Sequence, residues 1–351
     1  MALSSDLKRA TFQVLCKVGL DHFVRRQGGN QLLIVGYHGV VRQDDQAIES
    51  WLMLPANEFE RQITYLKENY DIIPMSEAAN RLRDRQPFTR PTACITFDDG
   101  YKNNQTVAGP ILERHQVPAT IYLATGFIGS SKIHWTIRLE RALMTSSVPY
   151  LDLSDIGLKT YSLKSLRSQT FVRLVSRLYR LPYEQQQEVV HRTLDRLGER
   201  ENEDYSLFEM MDWNDARQFE SNNLVEYGAH TIHHQTVKHL SDQRLEEEIG
   251  GSIGEISRQV KHVSNTFAYP NGTPDDFDDR AATVLKQHGI VAALSTIDGL
   301  NTLHAPPYAL RRITIGSHVG LNEFRLRVSG TVDKVKGWVS TNGHEQYFWG
   351  Y

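Results

Sequence analysis

A short apolar run that ends in two adjacent carboxylates constrains this chain most. The run Ala93-Cys94-Ile95-Thr96-Phe97 has the β-branched and aromatic composition of a buried strand. Asp98, Asp99 and Gly100 follow at once, and such a sequence fits the point where a strand ends and the backbone turns. Two neighbouring acids in one pocket repel each other, so we expect one to bind a cation and the other to handle protons.

Two histidines supply partners for such a cation. His230 and His234 follow the apolar stretch Leu224-Val225 and stand four residues apart, a spacing that on a helical turn would bring both imidazoles to one side. With a carboxylate from Asp98 or Asp99 they would give three protein ligands and an open position for water, which is typical of catalytic sites. The chain's two cysteines are too few for a thiolate site.

A third apolar run, starting at Thr266, ends in Pro270-Asn271-Gly272. This is a sharp turn signal, and such a turn can aim a backbone N–H into a cavity. Each of the three segments alone has a simpler interpretation as a solvated or ordinary turn, or as unrelated histidines. Together they favour a site, because α/β folds gather ligands at the carboxyl ends of their strands.

The spacing of apolar residues predicts the fold class. Helix-like and strand-like patterns alternate over 59–82 and again over 110–122, which indicates βα units in a parallel barrel or sheet. The segment 133–211 is polar and helix-periodic, notably over 163–181 and 183–197, and is predicted to be a helical insertion. Trp135 and Trp213 near its two ends are candidates for stacking on sugar rings or for core packing.

In order along the chain, the three motifs resemble those of the polysaccharide deacetylases, a family of metal-dependent carbohydrate esterases. The resemblance extends from about Leu32 to about Ile315 and includes three smaller matches: Tyr37-His38-Gly39-Val40, Pro118-Ala119-Thr120-Ile121-Tyr122 and Leu310-Arg311-Arg312-Ile313. The first of these resembles a motif of the export-linked bacterial subgroup. The resemblance implies a distorted (β/α) barrel and removal of N-acetyl groups from an amino-sugar glycan or glycan precursor.

The resemblance also implies roles for single residues. Asp98 would be the general base, and Asp99 would bind the metal together with His230 and His234. The backbone N–H of Asn271 would help to hold the oxyanion. Zinc is the default ion for such ligands, although nickel, cobalt and manganese use the same donors.

The chain departs from the family pattern in two places. Ala268 stands where the commonest third motif has an arginine that orients the base, so this support is missing or comes from elsewhere. The late Leu-x-His motif that supplies the general acid is absent from the sequence, and His304 and His318 lie in the wrong context. Because the subgroup resembles a circular permutation of the family, we assign the general acid to His38, with a packed structural histidine as the alternative.

Outside the motifs the sequence predicts an N-terminal amphipathic helical segment at 1–30, a deacetylase domain at 31–328 and a C-terminal tail at 329–351 without an assignable role. The N-terminal segment has no apolar run long enough for a signal peptide or a membrane span, so we expect a cytoplasmic protein. Its basic face would either rest on anionic lipid, as a peripheral membrane contact, or pack on the barrel.

The remaining expectations concern partners and alternatives. A formal net charge of -3 and ordinary composition argue against nucleic acid, leaving an N-acetylated sugar, oligosaccharide or polysaccharide as the expected partner. Oligomeric state is not encoded in any pattern we can interpret. Two alternatives stay open: a catalytically impaired glycan-binding relative, suggested by Ala268 and the missing late histidine, and an O-deacetylase or amidase on the same scaffold.

Overall fold

The structure, a computed structural model, describes residues 5–27, 29, 31–42, 50–164, 167–199 and 204–332. The chain forms two compact units. Among the described residues, the first comprises those up to Ser130, Met210–Lys238 and those from Asp242 to 332, and the second consists mainly of Ser131–Glu209. In the described residues, no helix is both long enough and apolar enough to cross a membrane.

Most strands of the first unit belong to one sheet, and short two-stranded pairs account for the rest of the described strands. In chain order the strands are β1 Leu32–Tyr37, β2 Gly39–Val41, β3 Met53–Pro55, β4 Asp71–Ile72, β5 Thr92–Phe97, β6 Ala119–Leu123, β7 Tyr150–Asp152, β8 Thr160–Ser162, β9 Val225–Ala229, β10 Val263–Ala268, β11 Ala292–Leu294 and β12 Ile313–Thr314.

Helices follow most of the main strands, as the alternating patterns predict. They are α1 Ser5–Lys17, α2 Leu20–Gln27, α3 Ala56–Asn69, α4 Met75–Arg83, α5 Gly109–His115, α6 Trp135–Thr145, α7 Arg167–Leu178, α8 Tyr183–Leu197, α9 Trp213–Glu220, α10 Asp242–Gln259, α11 Asp279–Gln287 and α12 Leu321–Val328.

The main sheet is parallel throughout and its two ends are joined. Its order is β11-β10-β9-β6-β5-β1-β12, with β4 beside β5. The segment that contains β12 touches both ends, because Leu310 pairs with Leu294 of β11 while Ile313 pairs with Val35 of β1. The fold is therefore the distorted (β/α) barrel that the sequence predicts, and the carboxyl ends of its strands lie together.

The predicted strands at the centre of this sheet are confirmed. β1 and β5 are buried along their whole length, as expected for parallel strands that are covered on both faces and read as continuous apolar runs. At the opposite end of the sheet, the first turn of α4 is held by side chains of β6 and β9. The backbone N–H of Met75 donates to Thr120 Oγ1 over 3.2 Å, and that of Ser76 donates to Glu226 Oε1 over 2.9 Å.

The second unit has its own apolar core, formed by α6, α7, α8 and the antiparallel pair β7–β8. The segment 133–211, predicted as a helical insertion, contains nearly all of this unit. The purely helical interpretation is wrong for residues 150–162, where the hairpin forms. Trp135 is buried in this core, so it packs as a core side chain rather than offering a face to a sugar ring.

The N-terminal segment packs on the first unit. Asp21 of α2 is fully buried and accepts hydrogen bonds from Arg325 Nε over 2.9 Å and from Tyr65 Oη over 3.1 Å. Of the predicted tail at 329–351, residues 333–351 lie outside the described part of the chain.

Candidate active site and metal centre

The predicted site residues follow neighbouring strands of the barrel. His38 follows β1, Asp98 and Asp99 follow β5, and His230 follows β9. Tyr37 and Phe97 are paired across β1 and β5, so His38 and Asp98 leave the sheet side by side. The structure thus gathers these side chains at the carboxyl end of the sheet.

Asp98 is buried and forms an ion pair with a fully buried arginine, Arg312. The two guanidinium nitrogens Nη1 and Nη2 donate to Asp98 Oδ1 and Oδ2 over 2.7 and 2.6 Å, a bidentate arrangement. Burial alone would raise the pKa of Asp98, but the charge and the hydrogen bonds of Arg312 outweigh it and hold the pKa well below its usual value. The Asp98 carboxylate is therefore ionised at neutral pH.

Arg312 lies in the segment that joins the two ends of the sheet, and backbone groups fix its position. Its Nε donates to the carbonyl of Ser295 over 3.3 Å, while its own N–H donates to the carbonyl of Ile297 over 3.0 Å. Gly36 of β1 leaves space for the side chain, because a Cβ built there would lie 3.0 Å from Arg312 Cδ. The support that Ala268 cannot give to Asp98 thus comes from the residue just before β12.

Asp99, His230 and His234 form a compact cluster of possible metal ligands. One ligand atom from each lies within 4.8 Å of the other two. Asp99 Oδ1 is 3.6 Å from His230 Nε2 and 3.4 Å from His234 Nε2. Asp99 has a left-handed backbone with φ of +73°, which is unusual for a residue other than glycine and turns its side chain away from that of Asp98.

Three observations show that these side chains suit a divalent ion. Asp99 Oδ1 is buried and has no hydrogen-bond partner among the described residues. His230 Nδ1 lies 2.7 Å from the carbonyl oxygen of Ala268, which requires the proton on Nδ1 and leaves Nε2 as a lone-pair donor. Burial lowers the pKa of both His230 and His234 to about 4, so the imidazoles are neutral at pH 7, as ligands must be.

The loop that carries the two histidines is not the helical turn that their spacing suggests. Thr231 and His234 have φ of +63° and +54°, which no helix allows. The chain instead turns back on itself, and the rings of His230 and His234 lie 4.8 Å apart between centroids. Four-residue spacing brings the imidazoles together through a loop rather than through helical periodicity.

One buried carboxylate holds this loop. Glu248 of α10 is fully buried and accepts from the backbone N–H groups of Ile232 and His233 over 3.0 and 2.9 Å. Its other oxygen lies 2.7 Å from His233 Nδ1 and 3.1 Å from Arg244 Nη2. The motifs in the sequence do not identify Glu248. The signal that could have identified it is an acidic residue at an otherwise apolar position of a long amphipathic helix.

His38 lies beside the ion pair and is held by its neighbours. Asn104, in a π-helical turn, donates from Nδ2 to the His38 carbonyl over 2.6 Å, and the Trp51 ring meets the His38 ring edge-on at 5.2 Å. His38 Nδ1 is buried without a hydrogen-bond partner in the described part of the chain. His304 and His318 are both exposed.

Asn271 is in the predicted turn after β10. Its φ of +59° and that of Gly272, +67°, give the sharp reversal that Pro-Asn-Gly indicates. The side chain donates from Nδ2 to Thr236 Oγ1 over 3.0 Å, and the backbone carbonyl of Asn271 accepts from Thr296 Oγ1 over 2.6 Å. Neither contact uses the Asn271 N–H, whose role as an oxyanion donor stays a prediction.

Comparison with known proteins places this site in a family. A family model described as polysaccharide deacetylase matches residues 85–293, more than half of the 351-residue chain. The protein YxkH of Bacillus subtilis is 30% identical over 109 residues, which are 30% of this chain and 37% of YxkH. A poly-beta-1,6-N-acetyl-D-glucosamine N-deacetylase of Escherichia coli is 28% identical over 91 residues, 26% of this chain and 13% of that protein. The matched regions thus span well under half of either relative.

Solved structures agree on the fold. The Streptococcus pyogenes deacetylase PplD, in complex with acetate, has a TM-score of 0.56 at 14% identity, over 86% of this chain and 99% of PplD. IcaB from Ammonifex degensii has a TM-score of 0.55 at 15% identity, over 86% of this chain and 97% of IcaB. At these identities the similarity concerns the barrel alone.

The buried ion pair leads to a first prediction. Arg312→Met should lower the free energy of unfolding by about 3–5 kcal/mol, because it leaves the Asp98 carboxylate buried without a partner. The double variant Asp98→Asn/Arg312→Met should cost less than the single one, which denaturant unfolding of both will measure. Arg311→Met, at the exposed neighbouring arginine, is the matched control. A loss in the double variant equal to the sum of the losses in Arg312→Met and Asp98→Asn alone would show that the pair is not coupled.

A second prediction concerns the loop. Glu248→Gln should weaken zinc binding by roughly 10–100-fold, the usual effect of removing an outer partner of a metal site, while the fold is retained. Competition with a chromophoric chelator measures the affinity, and Glu247→Gln, one residue earlier and exposed, is the control. If Glu248→Gln bound zinc with wild-type affinity, Glu248 would not be needed to keep the loop in its metal-binding conformation.

The histidines give a third prediction, for protein stripped of metal. Unfolded histidine takes up protons below its ordinary pKa of about 6.5, whereas buried His230 and His234 do so only near 4. The unfolded state therefore binds more protons between these values, and stability falls on acidification by about 1.4 kcal/mol per pH unit for each histidine. Denaturant unfolding between pH 7 and pH 4 should show a shallower slope in His230→Gln. An unchanged slope would contradict the neutral assignment.

Proposed function

The chain belongs to the polysaccharide deacetylase family, and on that premise we propose that it is a metal-dependent hydrolase that removes N-acetyl groups from an amino-sugar glycan or glycan precursor. The observation that carries the proposal is the juxtaposition of an ionised, arginine-paired Asp98 with the Asp99–His230–His234 cluster. One acid is poised for proton transfer and the other for cation binding.

Asp99, His230 and His234 would hold the ion through one carboxylate oxygen and two Nε2 atoms. A divalent ion there would polarise the acetyl carbonyl and lower the pKa of a bound water. Three protein ligands leave positions open for water and substrate, and the mixed oxygen and nitrogen donors suit zinc, with nickel, cobalt and manganese as possible substitutes.

Asp98 would accept the proton of the attacking water. Each carboxylate oxygen that accepts from Arg312 keeps a further lone pair, so the ion pair fixes the carboxylate without blocking it. The same pair makes Asp98 a weak base. Asp98 would therefore act through its position and its permanent ionisation rather than through a high proton affinity.

His38 would deliver a proton to the departing amine nitrogen. Three observations support this role over that of a packed structural histidine. His38 lies beside Asp98, its backbone carbonyl accepts a hydrogen bond from Asn104, and its buried Nδ1 has no partner among the described residues. The backbone N–H of Asn271 would complete the site by donating to the oxyanion.

The substrate class is proposed from the relatives. One of them is named a poly-beta-1,6-N-acetyl-D-glucosamine N-deacetylase. An N-acetylated sugar, oligosaccharide or polysaccharide is accordingly the proposed substrate, with residues 31–328 forming the catalytic domain, interrupted in sequence by the insertion at about 133–211. Arg312 removes one of the two reasons for considering an impaired glycan-binding relative, because it supplies the support that Ala268 lacks.

The fourth prediction tests this function directly. Zinc-loaded protein should release acetate from N-acetylglucosamine oligomers, and chelation should abolish the release. Asp98→Asn should lose at least about 10²-fold in kcat while it keeps zinc, because it removes the general base. His38→Gln should lose a similar factor, whereas His304→Gln, at an exposed histidine, should behave like wild type.

Two outcomes would contradict the proposal, and a third would correct one part of it. Sugar binding without acetate release from any N-acetylated substrate would favour the glycan-binding relative. Faster release from O-acetyl sugars or simple amides than from N-acetyl sugars would favour the O-deacetylase or amidase. Full activity of His38→Gln would remove His38 from the mechanism and leave the rest intact.

A further inference from the structure

Exposed apolar side chains are concentrated at the turn between α1 and α2. In the part of the chain whose exposure the structure describes, six large apolar side chains are exposed, and three of them lie within residues 14–23. Val14, Val18 and Phe23 are 58%, 72% and 59% exposed. Single exposed apolar residues need no explanation, but such a concentration in one short stretch marks an interaction surface.

The exposed side chains of lysine, arginine, aspartate and glutamate from position 9 to position 27, around this stretch, are all basic. Arg9, Lys17 and Arg26 are exposed. The one acid between positions 9 and 27 is Asp21, which is fully buried and paired with Arg325. We call the six exposed side chains, Arg9, Val14, Lys17, Val18, Phe23 and Arg26, the basic-apolar surface.

Other side chains of the two helices are committed to contacts within the first unit, and in α1 Cys16 Sγ donates to the backbone carbonyl of Asn322 over 3.4 Å. Asp21 contacts Arg325 and Tyr65, and Arg25 donates from Nη2 to Asn69 Oδ1 over 2.6 Å and from Nη1 to Tyr65 over 2.9 Å. A buried ion pair and these hydrogen bonds fix the helices in place. The basic-apolar surface is thus presented by a docked element.

We propose that the basic-apolar surface binds the surface of an anionic lipid bilayer. Its apolar side chains would enter the headgroup boundary while its three cations lie against acidic headgroups, as in amphipathic helices that bind membrane interfaces. A second copy of the chain fits less well, because a two-fold contact would bring two positive surfaces together. This inference is independent of the deacetylase proposal.

Co-sedimentation of the full chain with vesicles tests it, using phosphatidylcholine alone or mixed with phosphatidylglycerol. Wild type should bind the mixed vesicles, and added salt should weaken the binding. Lys17→Glu/Arg26→Glu should lower the partition coefficient about thirtyfold or more, taking roughly fivefold for each basic residue removed. Val14→Ser/Phe23→Ser should lower it by roughly tenfold or more.

Val263→Ser, at an exposed valine that begins β10, is the matched control and should bind like wild type. Thermal unfolding of each variant checks the fold, and acetate release from a soluble substrate should be unchanged in all of them. Wild type that stays in the supernatant with both kinds of vesicle overturns the proposal, and so does a Val14→Ser/Phe23→Ser variant that binds normally. Wild type that forms dimers but does not bind vesicles, together with a monomeric Val14→Ser/Phe23→Ser variant, would identify the surface as a contact between copies of the chain.

Discussion

The buried ion pair between Arg312 and Asp98 is the interaction on which the site and the barrel both depend. A lone carboxylate inside a protein is costly to ionise, and a lone guanidinium is costly to bury at all, so neither residue can take its position without the other. Arg312 also belongs to the segment that joins β11 to β1. Closure of the sheet therefore brings the Arg312 guanidinium to Asp98 and keeps this carboxylate charged. The electrostatics of the site thus depend on completing the barrel.

Adjacent acids in one site are usually expected to share protons, and here the structure separates them by backbone and by partner. Asp98 continues the strand and meets the guanidinium, whereas the left-handed Asp99 turns toward two neutral imidazoles. The two carboxylates thus face different charges although they are neighbours in sequence. The proposed division of work between base and ligand would arise from this local backbone reversal.

Much of this arrangement follows from the sequence, since strand runs that end in polar residues locate the carboxyl end of a parallel sheet. The fold class, the strands around Asp98 and the convergence of Asp99 with His230 and His234 could all be predicted in this way. Arg312 could not be assigned, because it pairs with a residue 214 positions away and local patterns carry no information about such contacts. The loop at Thr231 was misjudged because four-residue spacing fits a helix, while its conformation is imposed from outside by Glu248. The β7–β8 hairpin was missed because its strands are only three residues each.

Because Gly36 leaves space for Arg312, the ion pair limits how the sequences of related chains can diverge at position 36. A side chain at position 36 would press on the aliphatic part of Arg312, so we expect the glycine on the first strand and the arginine just before the last strand to be inherited as a pair. A relative that places its base-orienting arginine on the third motif, at the position of Ala268, no longer needs that space and is free to carry a larger residue on its first strand. Across related chains, the residue at position 36 should therefore vary together with the site from which the arginine comes.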